Sequence, residues 1–267
     1  MDRFVSPLVA LLTSFSSAAA DVVARPQWEK HLEERGVRGT FVLLEPANDR
    51  YLVVNESRAK QGFIPASTFK IPNALIGLEV GSICDEKEVF RWDGKPKLHA
   101  EWERDQTLAT GMKYSCVWMF QEVARRTGKE RMKEWLTRLE YGNQDMRGGI
   151  DLFWLQGSLR ISAMQQVDFL RRLAEGELPM TQRSQRLVRE VLVLEKTSSY
   201  TLYGKTGTSG QINNPVAWWV GWIERKGKPS AYFAMNYMPR PKMAYEERFA
   251  IARAILAEAG ALPLPPS

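Results

Sequence analysis

The chain has 267 residues, of which 44% are hydrophobic and 25% charged, so it is expected to fold around a substantial core. This composition excludes a disordered chain. The formal net charge is +6, and the basic residues are interleaved with acidic ones. This pattern argues against a nucleic-acid-binding stripe and favours an ordinary solvated surface. The two histidines, His31 and His99, have no neighbour at metal-ligand spacing, so we expect no metal and no Ser/His/Asp triad.

Residues 1–20 have the features of a secretory signal peptide. A mostly apolar run from Phe4 to Phe15 is followed by small residues that end at Ala20. The run is too short to span a bilayer, and we see no other stretch that could. We therefore expect cleavage near Ala20 and a periplasmic mature protein, with an N-terminal core helix as the alternative.

Two cysteines, Cys84 and Cys116, do not amount to a disulfide framework. We expect both to be reduced, buried and inert, although an oxidising compartment would permit a bridge between them. Neither has a visible base nearby, so a cysteine nucleophile is not supported.

The first predicted elements form a hairpin. Residues Gly39 to Leu44 and Tyr51 to Val54 are strand-like, and the segment from Pro46 to Asp49 supplies the turn. A helix is predicted next, because apolar residues recur at helical spacing from Ile71 to Leu78. The charged stretch that follows, to Trp102, is predicted to be a loop.

The middle of the chain, from Thr107 to about Leu192, has a helical pattern. Ser162 and Gln165 have the spacing of a capping box at the start of one of these helices. The last third changes to strands, which we place at residues 200–207, 217–223 and 230–237, before a C-terminal helix at 245–259.

Strands at both ends with helices between them predict an α+β fold. We expect an antiparallel sheet of about five to seven strands, flanked by N- and C-terminal helices. The helical part, about residues 80–195, is predicted to be an insertion in a single catalytic domain at 21–267.

The segment from Ile64 to Asn73 contains a Ser-x-x-Lys pattern, Ser67 and Lys70. Residues three apart share a helix face, so a hydroxyl and an amine can meet on one turn. This arrangement can build a nucleophile without histidine. Pro72 has no N–H for the carbonyl of Thr68 and disfavours helical geometry before it, so we predict a 3₁₀-like start or a kink.

Three other short patterns bear on Ser67. Ser115-Cys116-Val117 precedes a helical run, Tyr141-Gly142-Asn143 breaks a helix, and Lys205-Thr206-Gly207 lies on a strand-like run. Gly207 would allow a backbone or a ligand to approach closely. Taken singly, Ser115 could be a helix cap and Lys205 a solvated strand lysine.

Together these patterns resemble the penicillin-recognising serine enzymes, whose Ser-x-x-Lys and Lys-Thr-Gly motifs recur here. Ser-x-Val and Tyr-Gly-Asn are similar to those of the class D β-lactamases, or oxacillinases. Further similar segments cover essentially the whole mature chain: residues 65–73, 90–94, 153–155 and 218–222. The resemblance implies hydrolysis of β-lactam antibiotics.

The resemblance also implies roles for individual residues. Ser67 would attack the lactam carbonyl, and Lys70 would react with CO2 to give a carbamate that acts as general base; no other cofactor is implied. Only a neutral amine adds CO2, so Lys70 must be desolvated. Val117 and Leu155 would supply apolar walls, and the Trp154 indole a hydrogen bond. The alternative for Trp154 is a plain core residue.

Ser115 would pass a proton to the departing lactam nitrogen, with support from Lys205. The backbone N–H groups of Ser67 and Thr208 would form the oxyanion hole. The substrate would be bound by Thr206, Gly207 and Arg248, whose guanidinium suits a bidentate contact with a carboxylate. The alternative for Arg248 is an exposed helix arginine paired with a glutamate.

Thr208 departs from the pattern, because many relatives carry an aromatic residue there. Cleft shape is therefore an open point, as is the loop Ser209–Pro215 that follows. Trp102 and His99 are candidates for the opposite rim, with His99 as a plain surface residue the alternative.

Three rival functions remain at this stage. A penicillin-binding peptidase or a β-lactam sensor domain would be acylated without rapid turnover, and a secreted module would only bind. The chain could be a monomer or a homodimer.

Overall fold

The computed structural model describes residues 20–209 and 215–263. The predicted signal peptide lies outside these residues, except for Ala20, as does most of the loop Ser209–Pro215. None of the helices in the described ranges is long and apolar enough to cross a membrane.

Within those ranges, seven strands form one sheet, in the order β1-β3-β2-β7-β6-β5-β4. The strands are β1 Asp21–Ala24, β2 Gly39–Glu45, β3 Arg50–Val54, β4 Val193–Lys196, β5 Thr201–Thr208, β6 Ala217–Arg225 and β7 Lys228–Tyr237. Neighbouring strands are antiparallel, except that β1 runs parallel to β3. The sheet is therefore mixed rather than purely antiparallel, because β1 pairs at the edge with β3 and not with the next strand in sequence.

The helices are α1 Lys30–Glu33, α2 Glu56–Lys60, α3 Lys70–Glu79, α4 Leu108–Lys113, α5 Val117–Thr127, α6 Lys129–Arg138, α7 Ala163–Glu175, α8 Gln182–Val191 and α9 Glu247–Glu258. The α+β class is confirmed, and helices α2 to α8 lie between β3 and β4 in the sequence. The predicted helical pattern is interrupted between Leu139 and Ser162, where the chain forms turns. The capping box of Ser162 and Gln165 is present at the start of α7.

The core has two parts, one on each face of the sheet. Along each strand, successive side chains point to opposite faces of the sheet because the strand is pleated. In β6, Trp218 and Val220 pack with α3, α5 and α7 on one face, whereas Trp219 packs with α9 on the other. The first face carries the Ser67 segment, so β5 and β6 form its floor.

The segment around Pro72 has the predicted irregular start. Residues Ala66–Phe69 form a 3₁₀ turn, and α3 follows from Lys70. The backbone N–H of Lys70 donates to the carbonyl of Ser67, a bond that spans three residues. The predicted 3₁₀-like start is confirmed, since Pro72 cannot supply the N–H for an α-helical bond to Thr68.

The cysteines differ in part from expectation, and the two histidines lie in different surroundings. Cys84 is exposed, so the expectation that both thiols are buried is wrong for Cys84; Cys116 is buried, and both thiols are free. His31 is partly buried and contacts Glu258 at 2.8 Å, because helices α1 and α9 pack together. His99 is exposed.

Candidate active site

Ser67 lies on the 3₁₀ turn that precedes α3, and the turn is held from several directions. Ala66, just before it, has a positive φ of 49°, a conformation that a residue with a Cβ rarely adopts. Its N–H donates to the carbonyl of Trp154 at 3.0 Å, and the Thr68 hydroxyl donates to the carbonyl of Pro65 at 2.8 Å. Such strain costs on the order of 1–3 kcal/mol and persists only where the surroundings fix it.

Lys70 is completely buried, and its Nζ lies 2.7 Å from the Ser67 hydroxyl. Burial, and then the positive charge of Lys205, hold the pKa of Lys70 well below its usual value. Within the described ranges no carboxylate forms an ion pair with it; instead Nζ lies 5.7 Å from the centre of the Phe120 ring. The site therefore favours the neutral amine.

Ser115 and Lys205 form a second hydroxyl–amine pair, in which Lys205 Nζ donates to Ser115 Oγ at 3.0 Å. Ser115 has a positive φ of 54°, and Cys116 rather than Ser115 is the cap residue of α5. Lys205 is 6% exposed, so it is not a solvated strand lysine. Burial, and then the charge of Arg248, lower the pKa of Lys205 to about 7.

On α5, Phe120 faces Lys70, and Val117 and the turn around Trp154 are the other predicted neighbours of the amine. Val117 begins α5 and Phe120 follows at i+3, so both lie on the same side of the helix. The Trp154 ring stacks on Phe69 with centroids 5.1 Å apart. Its buried indole N–H has no hydrogen-bond partner within the described ranges, and Leu155 packs partly buried against the same core.

Strand β5 passes directly against the Ser67 turn. A Cβ added at Gly207 would lie 2.8 Å from the carbonyl oxygen of Pro65 and 3.2 Å from the backbone nitrogen of Thr68. Only glycine allows this approach without a shift. It brings the backbone of Thr208 close to the turn that carries Ser67.

Arg248, at the start of α9, is 4% exposed and lies behind β5. It donates to the carbonyls of Gly207 at 3.2 Å and Trp218 at 3.3 Å, and to the Thr208 hydroxyl at 3.1 Å. It forms no ion pair with a glutamate within the described ranges, so the alternative of an exposed, paired arginine does not apply. Its charge acts on Lys205 instead.

The Tyr-Gly-Asn motif has a bracing role that sequence reasoning missed. The Asn143 side chain accepts from the N–H of Arg160 at 2.8 Å and donates to the carbonyl of Ser158 at 3.0 Å. The braced segment continues to Ile161, which pairs with Phe63 just before the Ser67 turn. A Cβ at Gly142 would lie 2.1 Å from the Arg160 carbonyl, so the close contact requires glycine.

Trp102 and His99 lie next to the Ser115 turn. Their rings meet edge to face at 4.6 Å, and the Trp102 indole donates to the carbonyl of Tyr114 at 2.9 Å. Trp102 thus lies beside the Ser115 turn with His99 against it, and a rim formed by these two residues stays a prediction. Sequence reasoning missed Phe120 and Tyr245; the helical spacing of Phe120 from Val117 and of Tyr245 from Arg248 could have indicated them.

Known proteins resemble this chain over nearly its full length. A family model described as the penicillin-binding protein transpeptidase domain matches residues 39–257. The chain is 42% identical over 239 residues to β-lactamase OXA-19 of Pseudomonas aeruginosa, a match that covers 88% of this chain and 90% of that protein. It is 40% identical over 256 residues to β-lactamase OXA-48 of Klebsiella pneumoniae, with 96% of each covered.

The solved structure of FUS-1 (OXA-85), a class D β-lactamase from Fusobacterium nucleatum subsp. polymorphum, agrees with the fold. It is 36% identical, has a TM-score of 0.86, and the match covers 90% of this chain and 99% of that one. This chain belongs to the class D β-lactamases. A class D β-lactamase is a serine hydrolase, and in this one the Ser67–Lys70 and Ser115–Lys205 pairs lie on the same face of the sheet.

Proposed function

We propose that this protein hydrolyses β-lactam antibiotics through an acyl-enzyme on Ser67, with Lys70 carbamylated by CO2 as the general base. The observation that carries the proposal is a fully buried amine 2.7 Å from the Ser67 hydroxyl, with its pKa held well below the usual value. A nucleophilic serine needs a base that is unprotonated near neutral pH.

The residues around Lys70 fit a carbamate. The neutral amine is the form that adds CO2: an N–C bond forms, one C=O π bond of CO2 opens to give the carboxylate, and the proton lost by the nitrogen passes to water. The Trp154 indole is a buried donor without a partner within the described ranges, and a buried polar group of this kind needs an acceptor. With the Trp154 indole donating to it, the carbamate on Lys70 would take the proton from Ser67 Oγ and later a proton from the hydrolytic water.

The other residues serve the remaining steps. As Ser67 Oγ attacks the lactam carbonyl, the negative charge on its oxygen is stabilised by the backbone N–H groups of Ser67 and Thr208. Ser115 passes its hydroxyl proton to the lactam nitrogen as the C–N bond breaks and regains the proton that the carbamate took from Ser67, so the carbamate can then accept a proton from water. Lys205 donates to the Ser115 hydroxyl in the free enzyme. The positive charge of Arg248 attracts the substrate carboxylate, which Thr206 and Gly207 also border.

Turnover of a chromogenic β-lactam by purified residues 21–267 tests the activity. We expect sustained hydrolysis over many enzyme equivalents. A single stoichiometric burst would instead indicate a penicillin-binding peptidase or a β-lactam sensor, and an absence of any acylation would indicate a module that only binds. The residues before 21 are proposed to direct the protein to the periplasm, which cell fractionation would test.

The role of Lys70 has a separate test. Lys70→Ala should lose deacylation, so unchanged turnover in that variant would refute the assignment. Wild-type activity should fall at low pH or after CO2 removal and return with bicarbonate. Trp154→Phe should raise the bicarbonate concentration needed for half activity. Trp222→Phe is the matched control, because its indole bonds Glu224 elsewhere on the sheet.

A further inference from the structure

Tyr245 contacts both Thr206 and Arg248, the two side chains proposed to bind the substrate carboxylate. Its hydroxyl forms a short hydrogen bond with the Thr206 hydroxyl. Its ring lies over the Arg248 guanidinium, with the central carbon 3.9 Å from the ring centre. Its carbonyl accepts from Arg248 Nε at 3.0 Å. Tyr245 is therefore fixed at three points beside β5, yet it is 48% exposed.

The hydrogen bonds of Arg248 limit what it can offer to a ligand. A guanidinium has five N–H donors. Four bonds already engage them: Nε to Tyr245, Nη1 to Gly207 and to Trp218, and Nη2 to Thr208. One N–H on Nη2 is left by this count, and the Tyr245 ring covers one face. A bidentate contact with a carboxylate would require Arg248 to give up a bond to the protein.

The hydroxyl pair supplies a further donor. Thr206 and Tyr245 have one hydroxyl proton each, and their mutual hydrogen bond uses one of the two. The other proton is left to donate outward. Tyr245 is the more exposed partner, and a phenol is a stronger donor than an aliphatic hydroxyl. If Thr206 donates to the phenol oxygen, that bond polarises the phenol O–H further.

We propose that Tyr245 is a substrate-binding residue, whose hydroxyl donates to the carboxylate on the ring fused to the β-lactam. Thr206 orients the phenol, and Arg248 supplies the positive charge behind it. The inference rests on the proposed function, because it assigns a contact within the same site. Tyr245 also places an aromatic ring against the guanidinium that bonds the Thr208 hydroxyl.

The position of Tyr245 along the site supports this assignment. Its hydroxyl bonds the residue just before Gly207, and Arg248 bonds the residue just after it. Gly207 is the point at which β5 meets the Ser67 turn. In penicillins and cephalosporins the carboxylate lies only a few bonds from the lactam carbonyl, so a substrate acylating Ser67 must place its carboxylate near this part of β5.

The test compares Tyr245→Phe with wild type on one chromogenic β-lactam, supplied with a free carboxylate and as its methyl ester. For the free carboxylate we expect KM to rise about 10- to 100-fold, the range for losing one hydrogen bond to a charged group, with kcat changed much less. For the ester, the two proteins should differ less than about threefold, since the ester lacks the charge that makes the bond strong.

Tyr203→Phe is the matched control. It removes one phenol hydrogen bond, to Glu224 at 3.0 Å, from the same strand away from the Ser67 turn, and should leave both substrates unaffected. Equal increases of KM for the free carboxylate and the ester would show that Tyr245 only braces the fold. An unchanged KM for both substrates would show that the Thr206 hydroxyl replaces it. Either outcome overturns the proposal. If wild type acylates with neither substrate, the proposed function itself fails.

Discussion

Replacement of Gly207 by alanine would test whether the fit between β5 and the Ser67 turn sets the catalytic rate. The added Cβ would lie 2.8 Å from the Pro65 carbonyl oxygen, whereas ordinary contacts begin at 3.4 Å. The strand and the turn must therefore separate by about 0.6 Å, the difference between these two distances. Neither partner is a flexible side-chain end, so the backbone itself must shift.

The size of this shift predicts a large effect on rate. Oxyanion-hole donors act at about 2.7–3.1 Å, so a shift of this size would take the Thr208 N–H out of range. Loss of one such donor costs about 10²–10³ in kcat. The overpacking itself should cost about 1–3 kcal/mol of stability, and the lower entropy of an unfolded chain with alanine offsets part of that.

Steady-state hydrolysis of a chromogenic β-lactam measures the rate, and urea unfolding measures the stability. Gly204→Ala is the matched control, because its added Cβ would also lie 2.8 Å from a carbonyl oxygen, that of Val220, on the same strand. It should cost similar stability but less than about tenfold in kcat, since it does not touch the proposed oxyanion hole. The reasoning is refuted if Gly207→Ala keeps kcat within about threefold of wild type, or if both variants lose the same rate.

Two further predictions concern stability. Asn143→Ala removes the hydrogen bonds to Arg160, Ser158 and Asp145. It should lower the free energy of unfolding by about 1.5–3 kcal/mol and keep kcat within about tenfold of wild type. An unchanged midpoint of urea unfolding would contradict the bracing role. Lys205 has a pKa of about 7 in the folded protein, against 10.5 in the unfolded chain. Between these two pH values only the unfolded chain binds the proton, so the free energy of unfolding should rise with pH. Lys205→Met should reduce the rise of the free energy of unfolding with pH by up to about 1.4 kcal/mol per pH unit. Equal rises for wild type and Lys205→Met between about pH 7.5 and 9 would contradict the lowered pKa of Lys205.

The predictable part of the molecule is the part encoded by local pattern. The hairpin of β2 and β3, the helix after Lys70 and the three C-terminal strands follow from apolar periodicity and turn residues, and all are present. Pro72 was enough to predict the 3₁₀ start, because a missing N–H acts within a few residues. Strands β1 and β4 were missed, since each has four mostly exposed residues and no alternation.

The features that were missed depend on contacts between distant segments. The positive φ of Ala66 is maintained by a bond from its N–H to Trp154, far along the chain. The residue type does not predict that conformation, because a positive φ gives alanine no local stabilisation. The same holds for the Tyr245–Thr206 bond, which joins a connection after β7 to strand β5.

The charges of the site can be read as one electrostatic arrangement. Burial is the larger cause of the lowered pKa of both lysines; the charge of Arg248 lowers the pKa of Lys205 further, and the charge of Lys205 adds to the lowering for Lys70. The positive potential that would attract a carboxylate thus adds to burial in keeping the amine next to Ser67 neutral. An anionic substrate would partly cancel that potential and favour protonation of a free lysine. Under the proposed mechanism, conversion of Lys70 to a carbamate before the substrate arrives would avoid this loss, which is a physical advantage of the modified lysine over a merely neutral one.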